Sequence, residues 1–320
     1  MTMATPHTPL TVAISGSSGL IGSALTQALL DRGDHVIALV RPGSEPTATS
    51  LAQEDLGGLT RGSWDPARGM VEQAEIDRAD VVVNLAGASI GAKRWNDAYR
   101  TKILTSRTAA TSTLAQAISA SPTPPSCFIS GSASGFYGPT TGPVTEDSPA
   151  GTTFLAAVCE QWERAALAAD SSRVVLARTA TVMTAKGGAL EQVLRPMRLG
   201  AGATLGSGRQ LWSWISLTDH VRALLFLMDT PDVVGPVNLV SPAAASNTAI
   251  TAALAKALRR PAFLKVPAPA LRLLLGGFAD EILMSQDVRP GVLDRYGFEF
   301  AQPDHLTLAT AVAAELGVKN

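Results

Sequence analysis

Cysteine is almost absent from this chain: Cys127 and Cys159 are the only two among 320 residues. Two cysteines make neither the disulfide framework of a small secreted domain nor a cysteine-based metal cluster. An excess of one charge is missing as well. The 26 Lys and Arg are offset by 27 Asp and Glu, leaving a net charge of −1. That balance gives nucleic acid or an anionic membrane no electrostatic reason to bind. No apolar run is long enough to span a bilayer; the segment from Ala268 to Phe278 is apolar but short, and reads as a core helix. The opening MTMATPHTPL lacks the basic and apolar regions of a secretory signal. These absences set the expectation of a cytoplasmic protein with no metal, no nucleic-acid partner and no membrane partner. Tyrosine is scarce too: Tyr99, Tyr137 and Tyr296 are the three in the chain.

What is present fits a globular α/β protein. Apolar residues make up 46% and charged residues 17%, enough to build a large core. The length suits one large domain carrying a smaller appendage. Residues 10–15 (LTVAIS) form a short apolar, β-rich run. A glycine cluster follows, then a helix-period stretch from Leu20 to Leu30 that stops at Arg32-Gly33, then a second buried run, HVIALV. Strand, glycine turn, helix and strand within about thirty residues is the size of one βαβ unit. The helix between the strands favours a parallel pair.

The pattern repeats. ADVVVNLAG, CFISGSAS and RVVLARTA read as further strands, separated by helices over 96–119 and 152–169. Prolines 122, 124 and 125 close the first of these helices. Alternation on this scale predicts a doubly wound parallel sheet, the Rossmann architecture. The second half is less regular. LWSWISLTDHVRALLFLMD reads as strand then helix with Asp219 as its cap, GPVNLVS as a short strand, SNTAITAALAKALRR as an amphipathic helix, and 303–316 as a final helix.

The segment Gly16-Ser17-Ser18-Gly19-Leu20-Ile21-Gly22 carries the most information. Its glycines stand at G-x-x-G-x-x-G spacing between a strand and a helix. Without side chains there, the backbone can turn tightly and approach a diphosphate, which the N–H groups of the helix N-terminus then receive. Gly22 allows the helix to pack close to the strand. The end of the second strand selects the dinucleotide. NAD enzymes place Asp or Glu there to hold a ribose 2′-hydroxyl. This chain has Val40-Arg41-Pro42, with no acid between His35 and Ser44. Arg41 suits a 2′-phosphate, so the expected cofactor is NADP (NADPH).

With these motifs the sequence resembles the extended short-chain dehydrogenase/reductase superfamily, and within it the NAD-dependent epimerase/dehydratase-like subfamily. The resemblance covers nearly the whole chain: SGSSGLIG, WDP at 64–66, VVNLAG at 82–87, KRWN at 93–96, SR at 106–107, EDSP at 146–149, GSGRQLWSWI at 206–215, and VPAPALRLLLG with YGFEF near the end. In that subfamily the tail is a small domain of unknown function. The resemblance implies that Leu85, Ala86 and Gly87 line the cofactor at a strand end. It implies that Lys102 and Arg107 approach it from the following helix, and that Val182 sits near the nicotinamide.

Against that resemblance stands a gap. Active relatives use a Tyr and a Lys four residues apart on one helix face, the Lys lowering the phenol pKa so that a proton moves while hydride transfers. The corresponding helix here reads FLAAVCEQWE, with Leu155 at the Tyr position and Cys159 at the Lys position. No tyrosine of the chain is followed by Lys four residues later. The hydroxyl side survives in part. Relatives carry a catalytic hydroxyl four residues before a Tyr-Gly; counting from Tyr137 gives Ala133, flanked by Ser132 and Ser134. The candidate catalytic groups are therefore Ser132, Tyr137 and Cys159. The arginine that sugar-nucleotide enzymes carry before the Asp-capped helix is replaced by Trp212, with Arg209 nearby.

The resulting expectation is a dinucleotide-binding domain from 10–182 and 212–240, with a smaller substrate region from 183–211 and 241–320. The function expected is that of an NADP(H)-binding epimerase- or reductase-like protein acting on an unknown small molecule; its alternative is a catalytically inactive NADP(H)-binding regulator or interaction module. Relatives often dimerise through two helices of the nucleotide-binding domain, which makes a homodimer the expected assembly.

Overall fold

The computed structural model describes residues 8–43 and 57–318. Residues 1–7, on which the signal-peptide reading rests in part, lie outside the described residues. β1 (Thr11–Ser15) leads through the glycine turn into α1 (Leu20–Arg32) and β2 (His35–Val40). β3 (Leu59–Asp65), β4 (Met70–Val71) and α2 (Gln73–Asp77) precede β5 (Val81–Asn84). The long α3 (Asp97–Ala120) leads to β6 (Cys127–Ala133). After β7 (Pro143–Val144), α4 (Phe154–Ala166) connects to β8 (Arg173–Thr179) and β9 (Thr181–Met183). Next come α5 (Gly188–Arg198), β10 (Ala203–Leu205), β11 (Leu211–Trp212), β12 (Trp214–Ser216), α6 (Leu217–Asp229) and β13 (Gly235–Leu239). The remainder comprises β14 (Ala245–Ser246), α7 (Asn247–Ala257), β15 (Leu264–Val266), α8 (Ala268–Leu275), α9 (Phe278–Leu283), β16 (Asp287–Val288), α10 (Gly291–Arg295) and α11 (His305–Glu315).

The central sheet runs β13-β8-β6-β5-β1-β2-β3-β4. Every pairing in it is parallel except β3 with β4. The central strands are uninterrupted Val, Ile, Ala and Leu because both of their faces are covered, as a doubly wound sheet requires. On one face, Leu25 and Leu29 of α1 meet Leu224 and Leu227 of α6 over Val12, Ile14 and Val83. On the other, Leu114 and Ile118 of α3 and Ala166 of α4 pack over Ala13, Val82 and Phe128. Between β1 and β5 the chain reverses its direction of travel across the sheet. In such folds the crevice outside the carboxyl ends of the strands at this point is the ligand site.

Smaller β-pairs and a third cluster build the second lobe. Leu190, Leu194 and Met197 of α5 bury against Trp214, Leu254 of α7, and Leu308 and Val312 of α11. Three local readings of the sequence are corrected here. The strand β3 was not anticipated, because LTRGSWD near the sheet edge is half polar. The cap of α6 is Ser216, whose Oγ accepts from Asp219 N at 3.0 Å; the Asp219 carboxylate instead accepts from the backbone N–H groups of Ala301 and Gln302, each at 2.8 Å. The apolar stretch beginning at Ala268 is a surface helix, with Leu271 buried but Leu273 and Leu274 exposed. No helix among the described residues is long and apolar enough to cross a membrane.

Helix starts divide into two kinds. α3, α4, α6, α7 and α11 begin with a side-chain cap, from Asn96, Thr153, Ser216, Ser246 and Asp304 respectively. Each cap satisfies a backbone N–H that the helix itself leaves open. α1 and α5 begin at Gly19 and Gly187 with no side-chain cap, and the shorter α2, α8, α9 and α10 lack one as well. The first-turn donors of α1 and α5 are left open.

Candidate functional site

The glycine turn is built for close backbone approach. Gly16 sits at φ +75°, and a Cβ there would lie 2.9 Å from the carbonyl of Leu85. A Cβ on Gly22 would stand 2.1 Å from the Gly16 oxygen. The first is a conformation and a clearance that only glycine meets; the second lets α1 start directly against the turn. Gly19 N donates to Gly16 O at 3.0 Å and closes the loop. Ser17 and Ser18 sit at its tip, and Leu20 and Ile21 open the helix. No acidic side chain occupies the first turn of α1, so the partial positive charge of the helix end is uncompensated.

Leu85, Ala86 and Gly87 leave β5 directly beside this turn. Asn84, fully buried, fixes their path: its Oδ1 accepts from Ser15 Oγ at 2.7 Å and Ala86 N at 3.3 Å, and its Nδ2 donates to Thr111 Oγ1 at 2.8 Å. Helix α3 then grips the outgoing chain. Ser106 Oγ accepts from Ala88 N at 3.0 Å, Arg107 donates to Ala88 O at 3.1 Å, and the Tyr99 hydroxyl donates to Ser89 O. The Arg107 guanidinium lies against Gly87 and 5.1 Å from the Trp162 ring centre. Burial holds it below the ordinary arginine value. Lys102, one turn earlier on α3, is exposed. Val40 is half-buried and Arg41, immediately after β2, is exposed, with no ion pair or hydrogen bond from its guanidinium among the described residues. Val182 pairs in register with Ile215 across β9 and β12.

Ser132, Tyr137 and Cys159 come together, but around partners of the protein's own. Ser132 Oγ donates to Glu163 Oε1 at 2.7 Å. Glu163 receives Arg178 in a bidentate pair, Nε to Oε1 at 2.8 Å and Nη2 to Oε2 at 2.9 Å. Arg178 Nη1 also donates to the Tyr137 hydroxyl at 3.0 Å and to Glu146 O at 3.2 Å. Tyr137 in turn donates to Asn238 Oδ1 at 2.7 Å, and Glu146 Oε1 accepts from Asn238 N at 2.9 Å and Val292 N at 3.1 Å. All of these side chains are buried. Burial pushes the Tyr137 phenol up, with the Arg178 charge pulling the other way. The Cys159 thiol, buried beside Glu163 and directed at Ala133 O, is pushed up to about 12. Leu155 is buried with Tyr99, Ile103 and Val158. On this face of α4 Leu155 therefore meets apolar side chains, while Cys159 meets the Ala133 carbonyl. Among the described residues, no cluster of His, Cys, Asp and Glu could hold a metal ion.

Glu146, Glu163, Arg178 and Asn238 were not singled out from sequence. Arg178 and Glu163 lie 15 residues apart, and Tyr137 and Asn238 lie 101 apart. No local pattern marks such pairs; only the strand order brings them together.

A doubly wound sheet, a glycine cradle at its switch point and a small C-terminal lobe define a nucleotide-cleft protein of the extended short-chain dehydrogenase/reductase type. The sequence profile of the NAD dependent epimerase/dehydratase family matches residues 12–240, and that of a Domain of unknown function, DUF1731, matches residues 266–312. The chain belongs to the NAD dependent epimerase/dehydratase family. It is 42% identical over 305 residues to the epimerase family protein Mb2239 of Mycobacterium bovis, covering 94% of this chain and 96% of that one. The epimerase family protein SDR39U1 of Bos taurus is 35% identical over 92% of this chain and 96% of its own length. Among solved structures, human epimerase family protein SDR39U1 (isoform 2) with NADPH is similar at TM-score 0.83 and 31% identity, covering 95% of this chain and 99% of that one. The UDP-glucuronic acid 4-epimerase of Bacillus cereus shares the fold at TM-score 0.77 and 17% identity, over 96% of this chain and 99% of that one.

Proposed function

We propose that this protein binds NADP(H) at the switch point and presents the nicotinamide to a small molecule, without a Tyr–Lys proton relay. The observation that carries the reading is the glycine cradle with its uncapped helix. A turn packed tightly at Gly16 and Gly22, N–H groups of α1 that no side chain caps and no acid in its first turn are what a diphosphate site requires. Gly16, Ser17, Ser18, Gly19, Leu20, Ile21 and Gly22 would hold the diphosphate. Val40 and Arg41 would hold the 2′-phosphate end, and Leu85, Ala86 and Gly87 would form the floor. Lys102 and Arg107 would supply positive charge from α3, and Val182 would face the nicotinamide. The likeness to a human relative solved with NADPH supports the phosphorylated dinucleotide. When bound, the nicotinamide supplies or accepts a hydride.

For proton chemistry the reading assigns Tyr137 and Ser132 as the oxygen acids, with Arg178 donating to the phenol. Cys159 is the weaker candidate, because its thiol is buried and directed at the Ala133 carbonyl oxygen. The internal commitment of these groups also supports a second reading, in which the protein binds NADP(H) and responds to it without turnover, as a regulator or interaction module. A cytoplasmic site of action and a homodimer belong to both readings.

The test is Arg41→Ala. A charge-assisted contact to the 2′-phosphate corresponds to an affinity loss of about tenfold to a hundredfold for NADPH. NADH, which has no such phosphate, keeps its affinity. Equal weakening of the two would overturn the NADP assignment while leaving dinucleotide binding intact.

A further inference from the structure

Exposed apolar side chains are ordinary one at a time and informative when they gather. The four most exposed large apolar side chains among the described residues are Leu199 (87%), Leu273 (77%), Phe263 (74%) and Leu274 (73%). All four belong to the smaller lobe. Leu199 follows α5, and a Cβ on the next residue, Gly200, would stand 3.7 Å from the Pro261 ring. Leu264 N donates to Gly202 O at 3.2 Å, and β10 and β15 then run parallel from the Ala203–Leu264 pair. Through Pro267, β15 passes directly into α8, which carries Leu273 and Leu274.

The same surface has one sign of charge. No Asp or Glu stands between Asp232 and Asp280, whereas Lys256, Arg259, Arg260, Lys265 and Arg272 do. All five are exposed. Arg272 pairs with Asp280 at 3.0 Å. The other four, and Arg198 beside Leu199, have no ion pair or side-chain hydrogen bond among the described residues. Acids on the adjoining helices are engaged elsewhere: Glu191 of α5 with Arg195 at 2.7 Å, and Glu315 of α11 with Thr184 Oγ1 at 2.8 Å and Ala185 N at 2.6 Å. Burial pushes the Glu281 carboxyl of α9 up to about 7. Arg198 and Arg260 also line one cavity of about 250 Å³, together with Leu258, Leu316 and Val318. Two unpaired guanidiniums beside apolar walls suit a phosphate that carries a hydrocarbon stem.

We infer that this face of the smaller lobe docks on the surface of an anionic phospholipid bilayer. Leu199, Phe263, Leu273 and Leu274 would enter the headgroup boundary, and the unpaired arginines and lysines would meet lipid phosphates. Charge selects this occupant. A second copy docked symmetrically would set the same basic residues against themselves. A bilayer offers the opposite sign as a continuous surface and yields around side chains that protrude. The net charge of −1 for the whole chain conceals this asymmetry, because the acids lie outside the stretch. Docking here uses none of the residues assigned to the dinucleotide, and so is independent of that reading.

The experiment is co-sedimentation of the full chain with vesicles of phosphatidylcholine alone, and of phosphatidylcholine with an equal part of phosphatidylglycerol. Binding to the second and not to the first is expected, and it should weaken as salt rises. Each Arg or Lys near an anionic surface corresponds to about fivefold in partitioning, so Arg259→Gln with Arg260→Gln should lose about twentyfold. Leu199→Ser with Phe263→Ser, and separately Leu273→Ser with Leu274→Ser, should each lose about tenfold to a hundredfold. Met70→Ser, at an exposed methionine of β4, leaves binding unchanged. Equal binding to both kinds of vesicle, or binding to neither, overturns the inference. Binding that survives either pair of serine substitutions overturns it too, because the two stretches would then not form one face. Inorganic phosphate bound by the chain without any binding to vesicles would reassign the Arg198–Arg260 cavity to a free anion. Self-association abolished by Phe263→Ser, again without vesicle binding, would reassign the face to a second copy.

Discussion

Two regions of the same sheet, its centre and its β13 side, treat polar groups in opposite ways. At the switch point between β1 and β5, donors are left uncommitted: α1 starts without a side-chain cap, Arg41 has no partner among the described residues, and Gly16 and Gly22 let the turn pack against Leu85 and against the start of α1. Past the ends of β6, β8 and β13, donors and acceptors are spent on each other, in a buried chain from Ser132 through Glu163 and Arg178 to Tyr137 and Asn238. The first arrangement is stable only because water can reach it, and so it is open to a ligand. The second is a satisfied network in a low-dielectric interior, where each member is costly to remove. A serine and a tyrosine in the right stretch of sequence do not by themselves make an acid–base site; what their hydroxyls already hold decides how freely a proton can move.

Cutting the buried network should have the largest effect. Arg178→Met leaves the Glu163 carboxylate buried without its partner, and should destabilise the fold by about 3–5 kcal/mol in denaturant unfolding. A loss below about 1 kcal/mol would mean that the pair behaves like a surface ion pair and that its members are less committed than argued. A second effect, nearly as large, comes from His220 in the same half of the sheet. It is fully buried, its Nε2 is 3.0 Å from Thr179 Oγ1, and its Nδ1 has no hydrogen-bond partner among the described residues. Burial holds its pKa down at about 4, whereas the unfolded chain takes up the proton near 6.5. The stability it contributes is therefore complete above about pH 6.5 and is lost as pH falls toward 4. The loss is on the order of 3 kcal/mol. Unfolding measured across that range should show the slope, and His220→Gln should flatten it; an unchanged slope would place the acid sensitivity elsewhere.

The smallest stability effect, with the largest expected effect on the crevice, is Gly22→Ala. The added methyl would meet the Gly16 oxygen at 2.1 Å, so α1 must shift away from the turn. Overpacking of this kind costs about 1–3 kcal/mol, and NADPH binding should fall much further than stability does. A variant that keeps wild-type affinity would show that the close approach of helix and turn is not what the ligand uses.

The sequence was most legible where the chain is most regular. LTVAIS, the glycine turn and HVIALV announced a βαβ unit because the apolar runs, the glycines and the helix stop all fall within one short window. Leu155 and Cys159, the residues expected at the Tyr and Lys positions, could be read directly from the sequence, and Leu155 packs against Tyr99 and Ile103 of α3. β3 escaped notice because its alternation is diluted by Thr60, Arg61 and Ser63 near the sheet edge. Asp219 looked like a helix cap from its position. Its carboxylate reaches 82 and 83 residues onward, to Ala301 and Gln302, a partnership that tertiary structure alone creates. The same is true of Glu315 and Thr184, 131 residues apart. Local chemistry marks groups left open for a ligand more clearly than it marks groups satisfied at long range.

Calorimetric titration of the wild-type chain with NADPH and NADH at one ionic strength decides whether the switch point takes a phosphorylated dinucleotide by preference. Both are expected to bind, with NADPH favoured by about tenfold or more, the worth of a charge-assisted 2′-phosphate contact. Equal affinities would remove the selectivity assigned to Arg41, and absence of binding by either would remove the dinucleotide site itself.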